Sequence, residues 1–290
     1  SILHQMNQSL HLCCLCLWLS SCVSQPVGPH FLAGVQTGVN KNHDLEEVSG
    51  IAESIAVPGH LWAINDSGNP AELFLLKESG AGTVKKFNLQ WIDNRDWEDI
   101  VLVKDSLRNY LYIGDIGDNL ARYEYKYIYR VPEPSLNDSS VITHFDTLRV
   151  KLEGVYRDTE ALLFDPLTRN LYLVSKREQS VILFEISYPY SGNPIVAHPV
   201  ANLPVSRITA GSISPDGKEI LLKNYEHIYY WRRKDDEPLA QLLQQKPTKL
   251  AYTPELQGEA ITWAHDGSGF YTLSENGRGE RAPLYFYKRK

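Results

Sequence analysis

After Cys22 the 290-residue chain contains no cysteine; all four, Cys13, Cys14, Cys16 and Cys22, fall at its start. A disulfide framework for a folded domain is thereby excluded, and with it a thiolate metal site. Histidine pairs at metal-ligand spacing are missing too, so zinc is not expected. There is no Gly-x-Ser-x-Gly elbow, no serine with a recognisable histidine partner and no glycine-rich phosphate loop, which removes the common hydrolase triads and nucleotide binders. Positive charge is also short. With 29 basic against 35 acidic residues and a net charge of -6, the chain lacks the clustered Lys and Arg that neutralise phosphates, and no nucleic-acid partner is expected. Helical periodicity is scarce, with residues 238–245 the one short candidate.

What is present begins with an apolar run, residues 10–19, too short to span a bilayer, followed by Leu19-Ser20-Ser21-Cys22. Small residues leading to a cysteine resemble the lipobox of bacterial lipoproteins, although no Lys or Arg precedes the run. The expectation is an export signal over residues 1–22, lipidation at Cys22, a tether over residues 23–29 and one domain over residues 30–290. The protein would then be exported and held at the cell envelope by its lipid, with the folded part itself outside the bilayer.

The rest of the chain repeats. Turns rich in Gly, Pro, Asn or Asp stand at residues 57–60, 105–109, 165–170, 214–218 and 265–269, each between two apolar runs, as hairpins require. They recur at intervals of about 48 to 61 residues, the range of propellers and solenoids. Third strands are expected at residues 72–76, 127–131, 181–186, 227–231 and 283–287, and fourth strands at 83–89, 145–152, 195–203 and 242–252. The last unit lacks a fourth strand, which residues 31–39 would supply, closing the ring and removing its exposed edge. The fold class is therefore all-β, a β-propeller of five four-stranded blades. Six blades is the competing count, because the second interval is the longest, and a stack of β-sandwiches is the architecture without a repeat.

In a propeller the first strand of each blade lines the central channel, and its start shares a rim with the end of the second strand. The starts read Ser49-Gly50-Ile51, Glu98-Asp99-Ile100, Glu160-Ala161-Leu162, Gly211-Ser212-Ile213 and Glu259-Ala260-Ile261; the ends read Asn65, Asp115, Ser175, Asn224 and Ser274, followed by Asp66, Ile116, Lys176, Tyr225 and Glu275. Three glutamates at one mouth, with Asp96, Asp118 and Asp158 close by, repel one another unless something positive sits among them. Arg95, Arg157, Lys176, Lys223 and Arg278 are candidates from within. A divalent ion is the other solution, and oxygen-only ligands favour Ca²⁺ or Mg²⁺. The candidate ligand-binding residues are Asn65, Asp66, Asp115, Asp118, Glu160, Lys176, Asn224 and Glu275, and Glu98 is the candidate catalytic residue. A structural role for the repeated Arg-Asp-x-Glu, tying blades together, stays open. Tyr123 and Tyr125 could floor a ligand site, while Trp62, Trp91 and Trp97 fit packing between blades.

Residues 95–119, with Asp96-Trp97-Glu98-Asp99-Ile100 and then Tyr112-Ile113-Gly114-Asp115-Ile116-Gly117-Asp118-Asn119, resemble a group of exported bacterial β-propellers. More distantly the chain is similar to the SdiA-regulated and phytase-esterase-like propellers and to the calcium-dependent gluconolactonase and strictosidine-synthase group. The resemblance implies a channel-mouth site, sometimes with calcium, and carries Glu98, Asp115 and Glu259 over as rim metal ligands. Two functions follow: a lipid-anchored, monomeric module that binds a small molecule or a protein at its acidic mouth, or a calcium-dependent hydrolase, a lactonase or phosphoesterase, working at that mouth.

Overall fold

A computed structural model describes residues 28 to 290; the expected export signal, Cys22 and most of the tether lie outside the described residues. The chain enters with β1 (Val35–Val39) and then lays down blade after blade. The first is β2 (Val48–Glu53), β3 (His60–Asn65), β4 (Glu72–Lys77) and β5 (Thr83–Leu89); the second is β6 (Trp97–Lys104), β7 (Asn109–Asp115), β8 (Lys126–Pro132) and, after the two-residue β9 (Val141–Ile142), β10 (Asp146–Leu152). The third comprises β11 (Thr159–Phe164), β12 (Leu171–Ser175), β13 (Ile182–Ile186) and β14 (Ile195–Asn202). The fourth has β15 (Ala210–Ile213), β16 (Glu219–Lys223), β17 (Ile228–Arg232), a short helix α1 (Leu239–Leu243) and β18 (Thr248–Lys249); the fifth has β19 (Gly258–Trp263), β20 (Gly269–Ser274) and β21 (Pro283–Lys288). Its fourth strand is β1, antiparallel to β21, so the two ends of the described chain close one blade.

The first strands β2, β6, β11, β15 and β19 follow one another around an axis, and β19 packs back on β2. That is a five-bladed propeller, as the repeat predicts. The long second interval is used by β9, which leaves its own blade to pair in parallel with β5, not by a sixth blade. A second parallel pairing, β10 with β14, joins the outer strands of blades two and three. Both cover strand edges that would otherwise offer free backbone groups.

Blade strands are apolar on both faces because each face meets a different neighbour. In β3, Trp62 and Ile64 enter the core shared with blade two, whereas Leu61 and Ala63 enter the core shared with blade five. A sandwich would leave one face wet and alternate apolar with polar. Five apolar clusters result, one at each blade interface. The sequence pattern for a fourth strand over residues 242–252 is realised only at Thr248 and Lys249: Leu239, Leu242 and Leu243, spaced for a helix, bury one side of α1 in the cluster between blades three and four. Hairpin turns use their glycines as required. Gly217 and Gly267 stand at φ of 74° and 76°, in the left-handed region.

Buried polar ties stitch the interfaces. Arg233 grips Asp165 of blade three through two bonds of 2.9 and 2.7 Å, both side chains almost wholly buried. Arg289 grips Glu219 likewise at 2.8 and 2.7 Å. Glu133 of blade two accepts from the Ser54 hydroxyl, two backbone N–H groups and the Trp62 indole of blade one. Removing one partner strands a buried charge. Asp165→Ala is therefore expected to destabilise the fold by about 3–5 kcal/mol, measured by chemical denaturation followed by tryptophan fluorescence; an unchanged midpoint would remove this tie from the blade interface.

Candidate functional site

At one end of the channel the first strands of four blades each carry an extra residue. The pairing register slips between Val48 and Gly50, Trp97 and Asp99, Thr159 and Ala161, and Gly258 and Ala260. The residues in the slips are Ser49, Glu98, Glu160 and Glu259. A β-bulge leaves its extra residue out of the ladder and re-aims its side chain, and here three of the four are glutamates. Blade four shows no slip. Its counterpart is Thr209, just before β15, whose hydroxyl donates to the Gly258 carbonyl at 3.0 Å as the Ser49 hydroxyl donates to the Trp97 carbonyl at 2.7 Å. The sequence alignment that set Gly211 beside the glutamates is two residues out. The rim thus has five equivalent places holding three carboxyls and two hydroxyls, and the hydroxyls are spent on the next blade.

A second tier comes from the residues that follow the second strands: Asp66, Ile116, Lys176, Tyr225 and Glu275. The backbone N–H groups of Ile116 and Lys176 donate to the carbonyls of Asp96 and Asp158 at 3.1 and 3.2 Å, which brings those two aspartates to the mouth. The carboxylates meet in three groups: Asp66, Asp96 and Glu98; Asp66, Glu259 and Glu275; and Glu98, Asp158 and Glu160, with ligand oxygens in each group within 4.8 Å of one another. Asp66 and Glu98 are each shared, so seven carboxylates form one continuous cluster. These groups could hold a metal ion.

Burial dominates the electrostatics. Desolvation, then the charges of Glu160 and Asp66, push the Glu98 carboxyl well above its ordinary range. Asp66 is raised to about 7 and Glu275 to about 8, in each case first by burial. Glu160 is raised to about 8 by burial although the Lys176 ammonium, 3.0 Å away, pulls it down. Other neighbours share the load. Arg177 donates to Asp158 at 2.8 Å, and the Tyr225 hydroxyl and Gln257 amide both donate to Glu259. Lys126 lies beneath, only 2% exposed, with its ammonium on the carbonyls of Ile116 and Arg157, and burial lowers it to about 8.

Two details mark the Asp66–Asp96–Glu98 group. Asp96 is 6% exposed, and its Oδ1 is buried with no hydrogen-bond partner. Beside it, a Cβ on Gly117 would overlap Asp96 Oδ2 and Glu98 Oε1. The second glycine of Gly114-Asp115-Ile116-Gly117-Asp118-Asn119 is thus needed for the space it leaves to two carboxylates, not for a left-handed turn.

Other expected site residues face elsewhere. Asn65 accepts from the Glu47 N–H and donates to the Asp44 carbonyl; Asn224 accepts from the N–H groups of Glu226 and His227. Asp115 accepts from the N–H groups of Arg95 and Asp96, with the Arg95 guanidinium 3.6 Å away, and joins none of the three groups. Glu98 and Glu259, expected with Asp115 as one ligand set, fall in different groups bridged by Asp66. Asp118 accepts from the N–H groups of Arg122 and Tyr123 and fixes that loop. Strand parity explains the split: Asn65 and Asp66 are successive residues and point opposite ways. Tyr123 and Tyr125 lie under Arg95 and Arg149, at 3.8 and 4.5 Å from ring centroid to guanidinium carbon; Trp62 and Trp97 are core residues, whereas Trp91, expected beside them between blades, is exposed. Of the expected internal cations only Lys176 meets a cluster carboxylate; Arg157 pairs with Glu178 and Lys223 with Glu255. Sequence reasoning missed Arg177, Lys126 and the role of Gly117.

No family model and no curated protein matches the chain, so the resemblance seen in residues 95–119 has no family match behind it. Among solved structures, the chain is similar to hydrazine synthase of Kuenenia stuttgartiensis at 11% identity and a TM-score of 0.43, over 81% of this chain and 58% of that one. It is similar at 9% identity to a luciferin-regenerating enzyme, with a TM-score of 0.48 over 88% and 95% of the two chains. A glucose dehydrogenase-like oxidoreductase of Thermus thermophilus gives 9% identity and a TM-score of 0.49, over 88% and 99%.

The raised carboxyls link the mouth to stability. Asp66, Glu160 and Glu275 bind protons in the folded chain at a pH where the unfolded chain has released them. Their contribution is complete below the unfolded values and is lost as pH rises through about 7 to 8. With chelator present, the melting temperature should fall between about pH 5 and pH 9; a rise across that window would contradict the assignment.

Proposed function

We propose that the acidic channel mouth takes up a hard divalent cation, Ca²⁺ being the best match to an all-carboxylate donor set, and that the chain is a ligand-binding module rather than a structural ring. The observation that carries this reading is the orphaned, buried Oδ1 of Asp96 inside a carboxylate group that Gly117 keeps open. An unpaired buried acceptor is a cost that a cation relieves. Asp66, Asp96 and Glu98 would supply the first donors, with Glu259 and Glu275 reached through Asp66. A bound cation at the mouth then offers a docking point for an anionic or hydroxyl-rich group on a small molecule or a partner protein. A hydrolase working at the same mouth is the second reading, because a carboxyl raised by burial, as Glu98 is, can also act as a proton donor.

Calcium at a hundred times its dissociation constant should stabilise the protein by about 2.7 kcal/mol, read as a higher melting temperature that chelator reverses. Glu98→Gln and Gly117→Ala should each remove most of that shift. Melting that is indifferent to millimolar calcium in the unmodified protein would end the cation reading.

The envelope location is proposed on Leu19-Ser20-Ser21-Cys22 alone. Cys22→Ser should move the protein from the membrane fraction to the soluble fraction; unchanged membrane association would count against the lipid.

A further inference from the structure

The channel has a second end, where the first strands finish and turn. There the wall is apolar: Ile51, Ile100, Phe164, Ile213, Ile261 and Trp263, drawn from all five blades, line a cavity of about 110 Å³. None of the clustered carboxylates reaches it. Its polar lining includes Glu53, Lys104, Arg169 and His265.

Two of the lining side chains, Lys104 and Arg169, are cationic. Arg169 stands at a φ of 64°, held by its N–H on the Asp165 carbonyl at 2.7 Å. Its guanidinium carbon lies 5.2 Å from the Phe164 ring centroid, and its Nη1 is 3.4 Å from the Lys104 carbonyl. The acid on its own turn, Asp165, is committed to Arg233. Glu53 accepts the His265 N–H at 2.8 Å and is raised to about 8, first by burial and further by its neighbour Glu78. Burial lowers His265, which is therefore neutral, its Nε2 sitting 2.9 Å from the Glu53 carbonyl. Asp266, on the outside of the turn, is engaged by the Ser268 N–H at 2.9 Å. Arg169 and Lys104 thus border the apolar cavity, and the carboxylates of Glu78, Glu133 and Asp266, whose charges act on Glu53 and His265, are not among its lining residues.

We propose that this end of the channel is a second binding site, for a small carboxylic acid with a short apolar body. The body occupies the cavity and the carboxylate meets Arg169 and Lys104. A cavity somewhat smaller than the roughly 150 Å³ that accepts benzene suits a body of about four or five carbons. A bidentate guanidinium–carboxylate pair gives such a ligand its orientation.

The probe is 3-methylbutanoate, with 3-methylbutanamide and 3-methylbutylamine as comparators of the same body, titrated calorimetrically into the full chain. The acid should bind at least about tenfold more tightly than the amide, a difference of about 1.4 kcal/mol, and the amine not at all. Arg169→Asn, which tolerates the left-handed backbone, should bring the acid down to the affinity of the amide. Ile213→Phe, which fills the cavity, should abolish binding of both while leaving circular dichroism unchanged. No heat and no ligand-observed NMR signal with the acid at millimolar concentration would overturn the proposal, as would equal affinity for acid and amide, or full affinity in Arg169→Asn.

Discussion

Everything at the channel mouth depends on one backbone pairing, that of β1 with β21. Asp66 on blade one has a carboxylate oxygen within 4.8 Å of one on Glu98 of blade two and of one on Glu259 of blade five, and blades five and one are neighbours only because the ring is shut. The seam is tight: Gly38 bridges Gly80, and a side chain at Gly38 would run into the Gly80 backbone. The Asn40 N–H reaches the Ala282 carbonyl beside it at 2.9 Å. Closure by strands far apart in the sequence converts five hairpin units, each too small to bury its faces, into one object with five shared cores. A mouth assembled from four blades is a by-product of that closure.

The mouth is held against its own charge. Collecting carboxylates in a desolvated space is unfavourable, and the structure offsets it by three means: protons retained by burial at Asp66 and Glu275, the pairs of Lys176 with Glu160 and of Arg177 with Asp158, and the buried ammonium of Lys126 beneath. The bulges contribute geometrically, because residues left out of the ladder are free to turn inward. The far end of the channel is built from the same strands a few residues on, yet it is apolar and bordered by Arg169 and Lys104. One axis therefore carries two chemically unlike ends.

The architecture is largely legible in the sequence. Turns rich in Gly, Pro, Asn or Asp, recurring along the chain, place all five hairpins between first and second strands, and the unpaired last unit points to residues 31–39 as its missing partner. Glu98, Glu160 and Glu259 read as convergent once the repeat is seen. Parity is harder. Where both faces of a strand are apolar, hydropathy does not say which residue of a pair such as Asn65 and Asp66 points to the axis, and so Asn65, Asp115 and Asn224 group with residues that face the other way. The bulges are invisible because they fall at strand starts such as Val48-Ser49-Gly50 and Trp97-Glu98-Asp99, where polar and apolar residues mix and there is no regular alternation for an extra residue to break. In blade four, which has no bulge and no acid at the rim position, this produces the two-residue slip that puts Gly211 where Thr209 stands. The space kept by Gly117 depends on side chains from other strands and has no local signal.

Blade four also has a consequence for any guest. With Thr209 in place of a glutamate and Tyr225 above it, the field around the axis is uneven, strong on one side and weak on the other. A symmetric ring would let an entering molecule sit in any of several equivalent orientations around the axis. Here that degeneracy is lifted: a guest at the mouth would meet one angular setting unlike the others, as a key meets a lock.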